Sequence, residues 1–251
     1  MKAFIKLTLP LVTLCLFNSC AKSLDEAASS STPVQEEVSN QNETINSDGS
    51  NIKGFYAADL YPINYNLHFK KVGLAGVERE EDRFSAYVKL QYGHKGIEHR
   101  QAIYTGRRCP NINDDLNKDA YIDIREAMVA MGKITIPLDG NIDSQMEGQN
   151  ENPVGDINTG RYFYERTASF DRMFSDLKSV DQDPEDLIIK IGQEEGLTFP
   201  GRIVLIQGAN NKKELPKTVA TMDGLTPYES IPVACGVLWK VEARPTDLIP
   251  E

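Results

Sequence analysis

Histidine is nearly missing from this chain of 251 residues: there are three, and none follows His99. Tryptophan occurs once and cysteine four times. Basic residues are outnumbered, 27 lysines and arginines against 37 aspartates and glutamates, for a formal charge of -10. Each shortage removes a class of function. An acidic surface repels phosphate backbones and anionic headgroups, which argues against nucleic acid binding and against polybasic docking to membranes. No G-x-S-x-G turn occurs and no histidine has a recognisable partner, so Ser-His-Asp catalysis has no support. Carboxylates are too numerous for spacing to single out a glycosidase pair. There is no internal repeat and no alternation of strands with helices. The apolar run LTLPLVTLCLF, from Leu7 to Phe17, is too short to cross a bilayer.

What is present begins with an address. Lys2 and Lys6 precede that apolar run, which is the charge pattern of a secretory signal peptide spanning residues 1–19. Its end has two readings. An ordinary cleavage site wants small residues one and three places before the cut, and Phe17 stands at the second of these. FNSC is instead similar to a bacterial lipoprotein box, although Phe17 and Asn18 depart from the usual Leu and small residue; Cys20 is then diacylated and becomes the first residue. Cys15, behind bulky Leu14, is a poorer acceptor. Ala21 is similar to outer-membrane sorting signals, which implies an outer-membrane lipoprotein of the cell envelope, facing the periplasm or the surface. Removal of Lys2 and Lys6 moves the formal charge from -10 to -12. From Lys22 to Asn51 there is no aromatic residue, and such a segment buries too little apolar area to offset its ordering entropy. Residues 20–53 are expected to be a lipidated, disordered tether, and residues 54–251 the folded domain.

Within the domain, INYNLHFKKV from Ile63 and FSAYVKLQY from Phe84 alternate apolar and polar residues as half-buried strands do, with Val77 to Arg83 as a charged turn between them. Further strands are expected at Arg100–Thr105, Lys133–Leu138, Arg161–Phe170, Leu187–Ile191, Arg202–Gln207 and Ile231–Val241. Ile124–Met131, stopped by Gly132, and Asp171–Val180 read as short helices. About eight strands with one or two short helices predict a mainly β fold, an antiparallel sandwich or flattened barrel.

The acidic stretch ahead of the first helix carries the clearest chemistry. Asp115, Asn117, Asp119, Asp123 and Glu126 fall at positions 1, 3, 5, 9 and 12 of the calcium loop used by EF-hands, with the Tyr121 carbonyl at position 7 and Ile122 at the apolar anchor. All are oxygen donors, suited to a hard cation such as calcium and not to copper or zinc. Position 6 usually needs Gly, and Ala120 stands there, at a cost of about 1–2 kcal/mol for a left-handed backbone. The other reading is a solvated acidic turn capping the helix through Asp123. Asp181, Asp183, Glu185 and Asp186 lack ligand spacing and surround Pro184, as a solvated turn does.

GRIVLIQG from Gly201 and IPVACGVLWKV from Ile231 resemble the last strands of the Cu/Zn superoxide dismutase family, in which a GR-x-x-V-x-H strand precedes a R-x-A-C-G-V-I strand. FSDLKSV also resembles that family's D-L-x-x-V segment. The resemblance implies a Greek-key β-sandwich and a disulfide from the late cysteine, Cys235, to an early one in a G-C segment, here Cys109 of GRRC. Cysteine counting agrees: with Cys15 removed and Cys20 acylated, Cys109 and Cys235 are the remaining pair, and exported pairs are usually bridged. Two buried free thiols are the alternative. The family's ligand set is not matched. It holds copper with four histidines and zinc with three, one shared, plus an aspartate. Here His99 matches the first histidine of the H-x-H segment, but Gln101 replaces the second and Gln207 replaces the histidine of the late strand. No copper or zinc is expected, and dismutase activity is not. His94 and His99 read as ordinary surface residues.

The expected function is therefore a non-catalytic envelope lipoprotein with a binding or structural role, ordered by one disulfide and one calcium loop. The alternative is a metal-handling or dismutase-like enzyme using the surviving histidines. A protein or glycan partner is compatible with the first; Trp239 with Tyr162 and Tyr164 would serve such a surface, although core packing is the simpler reading of these aromatics.

Overall fold

The computed structural model describes residues 53–66, 71–143, 151–179 and 197–249. Nine strands form one antiparallel sheet: β1 Gly54–Pro62, β2 Gly73–Glu80, β3 Arg83–Leu90, β4 Gln101–Tyr104, β5 Ile134–Pro137, β6 Tyr162–Ser169, β7 Ile203–Gln207, β8 Pro232–Val237 and β9 Trp239–Val241. The order is β5-β4-β7-β8-β1-β2-β3-β6, with β9 also on β1. Among the described residues three helices accompany it, α1 Ile124–Met131, α2 Phe170–Ser179 and α3 Pro227–Ser230. The sheet curls into a half-barrel whose ends are tied by side chains. The Tyr164 hydroxyl of β6 donates to the Asp139 carbonyl beyond β5 at 2.8 Å, and the Tyr162 hydroxyl donates to Gln101 Oε1 of β4 at 2.9 Å.

The concave side holds the main core, in which Tyr56, Leu60, Phe84, Ile103, Phe170, Phe199 and Ile206 are almost completely buried. Two smaller clusters lie apart from it. One, with Ala102, Tyr104, Leu205 and Cys235, is covered by Ile124, Ala127 and Met131 of α1. The other joins Phe55, Leu74 and Tyr87 under Leu248 near the C-terminus.

Several expected boundaries move. The alternation from Ile63 does not make a strand: β1 ends at Pro62, Ile63–Asn66 bends, and 67–70 lie outside the described residues. The expected turn at Val77–Arg83 is mostly strand, because its charges have partners. Arg79 is buried with its guanidinium 3.4 Å over the Phe170 ring, and Glu78 accepts from the Tyr87 hydroxyl. The turn itself is Glu81-Asp82, between the paired Glu80 and Arg83, and Glu81 takes φ 50°. Ile231–Val241 is two strands, since Leu238 turns its N–H to the Arg202 carbonyl and its own carbonyl to Gly201. The helix α3 was not expected. Leu187–Ile191 and the 181–186 turn fall outside the described residues, as does everything before Lys53, Cys20 included.

Candidate metal loop and its clamp

The segment after β4 is anchored first by covalent chemistry. Cys109 is bonded to Cys235 of β8, with Cα atoms 5.8 Å apart. Arg108 then grips Asp114 with both guanidinium ends at 2.7 Å, which holds the Asp114 carboxyl below its usual pKa. Asp114 closes a capping box on Asn111 around a single 3-10 turn.

From Asp115 the loop winds inward on its own backbone amides. Asp115 accepts from the N–H of Asp119 at 3.2 Å and of Ala120 at 2.9 Å. Asn117 Oδ1 also accepts from Asp119, and Asp119 Oδ1 accepts from Tyr121 N–H, both at 2.9 Å. Lys118 and Ala120 both have left-handed backbones, φ 59° and 68°. Glu126 reaches back from α1 so that Oε1 accepts from Leu116 and Asn117 while Oε2 accepts from Asp123. Asp123 caps α1 by accepting from Arg125 and Glu126, and the two residues form a second capping box. Tyr121 is half-buried against the main core, which sets its carbonyl in the loop. All six expected donors thus belong to one closed turn. Each ionised carboxylate has about four lone-pair sites, so amide contacts leave acceptor capacity for a cation. As they stand, however, no three His, Cys, Asp or Glu side chains among the described residues converge on one point as a metal-holding group.

Sequence reasoning missed the groups that clamp this turn from outside. Asn64, which is buried, accepts the Ile122 N–H at 2.8 Å and donates to the Ile122 carbonyl at 3.0 Å and the Pro232 carbonyl at 2.8 Å. Its amide therefore treats Ile122 as a neighbouring strand would. Asn66 donates to the Ala120 carbonyl, the Thr218 hydroxyl to Asp119, and the Ala220 N–H to Asp123 Oδ2. These partners lie about 50 to 100 residues from the loop, as the 54, 97 and 99 position separations show, so no local spacing announces them.

Gln101 and Gln207, which the sequence resemblance sets at copper positions, are poor ligands for copper. Gln101 is buried, donating to the Leu138 carbonyl and accepting from Tyr162. Gln207 is buried and donates to the Ser230 carbonyl at 2.9 Å, with Met222 sulfur at 3.3 Å. Both amides are thus engaged by the fold itself. His94 and His99 are not surface residues. Their rings lie 6.4 Å apart, centre to centre, and both are buried. Glycines make the room: a Cβ on Gly93 would stand 3.1 Å from His99 Nε2, and one on Gly208 3.4 Å from His99 Nδ1. His68 lies outside the described residues. Trp239 is also misplaced by the core-packing reading, being 60% exposed, whereas Tyr164 is core.

His99 gives the fold a pH dependence. Burial lowers its pKa from the ordinary 6.5, only partly opposed by the Gln207 carbonyl that accepts from Nδ1 at 3.0 Å. The native ring stays neutral in a range where the unfolded one binds a proton. Stability from this group is complete above about pH 6.5 and falls with pH below it, toward the lowered native pKa. Urea unfolding between about pH 7 and 5.5 is expected to show that decline, and His99→Gln to flatten it. An unchanged slope in the variant would refute the assignment.

Among the described residues no helix is long and apolar enough to cross a membrane. No family model matches the chain, and no curated protein matches it. Solved structures do. A Cu/Zn superoxide dismutase from Brucella abortus aligns at 15% identity over 73% of this chain and 98% of its own, with a TM-score of 0.38. A SOD-like protein from Bacillus subtilis aligns at 12% identity over 73% and 97%, with a TM-score of 0.33. A mutant of that protein gives 13%, 72%, 95% and 0.36. The chain is thus similar to Cu/Zn superoxide dismutases and SOD-like proteins along nearly their whole length, at low identity.

Proposed function

We propose that this chain is an exported lipoprotein, anchored to the outer membrane through Cys20, whose dismutase-like fold is a non-catalytic binding or structural module ordered by calcium at 115–126. The observation that carries the calcium reading is the left-handed Ala120, φ 68°, at the loop position where the cation-binding pattern demands that conformation. The closed Glu126 carboxylate supports it, since that residue supplies the bidentate ligand in such loops. Calcium would be held by side-chain oxygens of Asp115, Asn117, Asp119 and Glu126 and by the Tyr121 carbonyl. Asp123, at position 9, would supply its oxygen directly or through water. The buried Gln101 and Gln207 support the non-catalytic part.

Thermal unfolding with and without calcium tests it. At about ten times the dissociation constant, calcium is expected to add about 1.4 kcal/mol, a rise in Tm of about 3–5 °C. Asp115→Ala and Glu126→Ala should abolish the rise. Ala120→Gly should raise basal stability by about 0.5–1 kcal/mol, since relief of the left-handed strain is only partly offset by glycine's greater entropy loss. No calcium response, stoichiometric copper or measurable dismutation in the purified protein would each refute the reading.

A further inference from the structure

A cavity of about 250 Å³ opens between the start of β2, the end of β3 and the C-terminal segment. Its position depends on close backbone packing. A Cβ on Gly73 would stand 2.2 Å from the Lys89 carbonyl oxygen, so only glycine lets the strands close there. The turn after β3 is pinned as the amides of Gln91 and Tyr92 both donate to the Val72 carbonyl, at 2.7 and 3.2 Å. The third wall is the 3-10 turn Thr246–Leu248. Leu248 is fully buried against Phe55, Leu74 and Tyr87, and the Arg244 guanidinium lies 3.8 Å over the Tyr87 ring while donating to the Leu248 carbonyl. Asp247 is thereby held at the rim.

The lining is chemically mixed. Lys71 and Lys89 bring two ammonium groups, Asp247 a carboxylate, Gln91 an amide, and Leu74 and Tyr92 apolar surface. Lys71 donates to Asp59 at 2.6 Å, and an ammonium has three donors. We propose that this cavity binds a single sugar ring carrying a carboxylate, a hexuronate. The ligand carboxylate sits between the lysines, its hydroxyls donate to Asp247 and exchange hydrogen bonds with Gln91, and a C–H face of the ring lies on Tyr92 and Leu74. Asp247 distinguishes this ligand from a simple anion, because a ring hydroxyl remote from the ligand's carboxylate donates to it and offsets a repulsion that a compact anion such as phosphate meets in full.

Calorimetric titration of the folded chain with glucuronate, galacturonate, glucose, acetate and phosphate, each as a separate probe, tests it. One uronate should bind saturably with a dissociation constant of about 1 mM or tighter. It should bind at least about tenfold tighter than glucose, acetate or phosphate. Lys71→Gln with Lys89→Gln should weaken uronate binding about tenfold or more, and Asp247→Asn should weaken uronate while leaving phosphate no weaker. A variant-free check is amide chemical shift change, expected at Gly73, Leu74 and Gln91. Equal binding of acetate, phosphate or glucose, absence of uronate binding, an unaffected double lysine variant with wild-type Tm, or shifts confined elsewhere would each overturn it.

Discussion

Replacing Cys109 and Cys235 together by serine is expected to lower the unfolding free energy by about 4–5 kcal/mol. The bridge spans 126 positions, so its loss releases a long loop in the unfolded chain, and the chain-entropy model places such a loop near the top of its range. In a domain of this size the loss corresponds to a drop in Tm of about 10–20 °C. Paired substitution avoids leaving a lone thiol, and reduction of the wild-type protein with dithiothreitol should reproduce it. The native state loses something too: Cys235 lies in the cluster under α1, so the bridge ties the segment that leads into the 115–126 loop to β8. The calcium response should therefore weaken along with stability. A loss below about 1 kcal/mol would show that the reduced chain retains the loop closed without its covalent tie.

The second large effect is expected at Asn64. Asn64→Ala removes one side chain and strands three backbone groups, the N–H and carbonyl of Ile122 and the carbonyl of Pro232. Unsatisfied buried groups cost about 1–3 kcal/mol each, but water entering the vacated space meets some of them, so the expected net loss is about 3 kcal/mol. Asn64→Asp is no rescue. A carboxylate accepts from Ile122 N–H yet presents lone pairs and charge to two carbonyls, so it should be at least as destabilising as alanine. Urea unfolding ranks the three proteins, and hydrogen exchange at the Ile122 amide reports the clamp directly. Asn64→Asp matching wild type, or fast Ile122 exchange in the wild type, would sink this account.

The legible parts of the chain were those whose cause is local. The helix α1 follows from Asp123, Glu126 and Gly132, a capping box and a stop within ten positions, and it forms over the expected residues. The disulfide, Cys109 to Cys235, was legible from the resemblance of the GRRC and ACGV segments, with cysteine counting in agreement once Cys15 and Cys20 are set aside. The strands β1 and β2 were not, for an identifiable reason. GFYAADLYP carries Tyr56 on the core face and Phe55 on the other, both buried, because Leu248 covers the Phe55 face. That hides the period-two pattern. GLAGVERE needs Gly73 and Gly76 for close approach, and a Cβ on Gly76 would strike the Phe55 ring at 2.7 Å. Such glycines read as turn signals until the neighbours are known. Asn64 was illegible for the plainest reason: its partners stand 58 and 168 positions away.

The strand β6 has a further consequence for how copies of this protein meet. Among the described residues it is paired only with β3 and lies at the end of the sheet order, so within that set its outer backbone is an open template for another strand. Two copies joined antiparallel about a two-fold axis must match residues of the same face. The central registers then set Glu165 against its own copy or Arg166 against its own copy. Either places like charges directly opposite, which is destabilising. A strand that would otherwise recruit its own kind into growing sheets thus carries, at its midpoint, a charge pair that makes self-recognition unfavourable while leaving pairing with β3 intact.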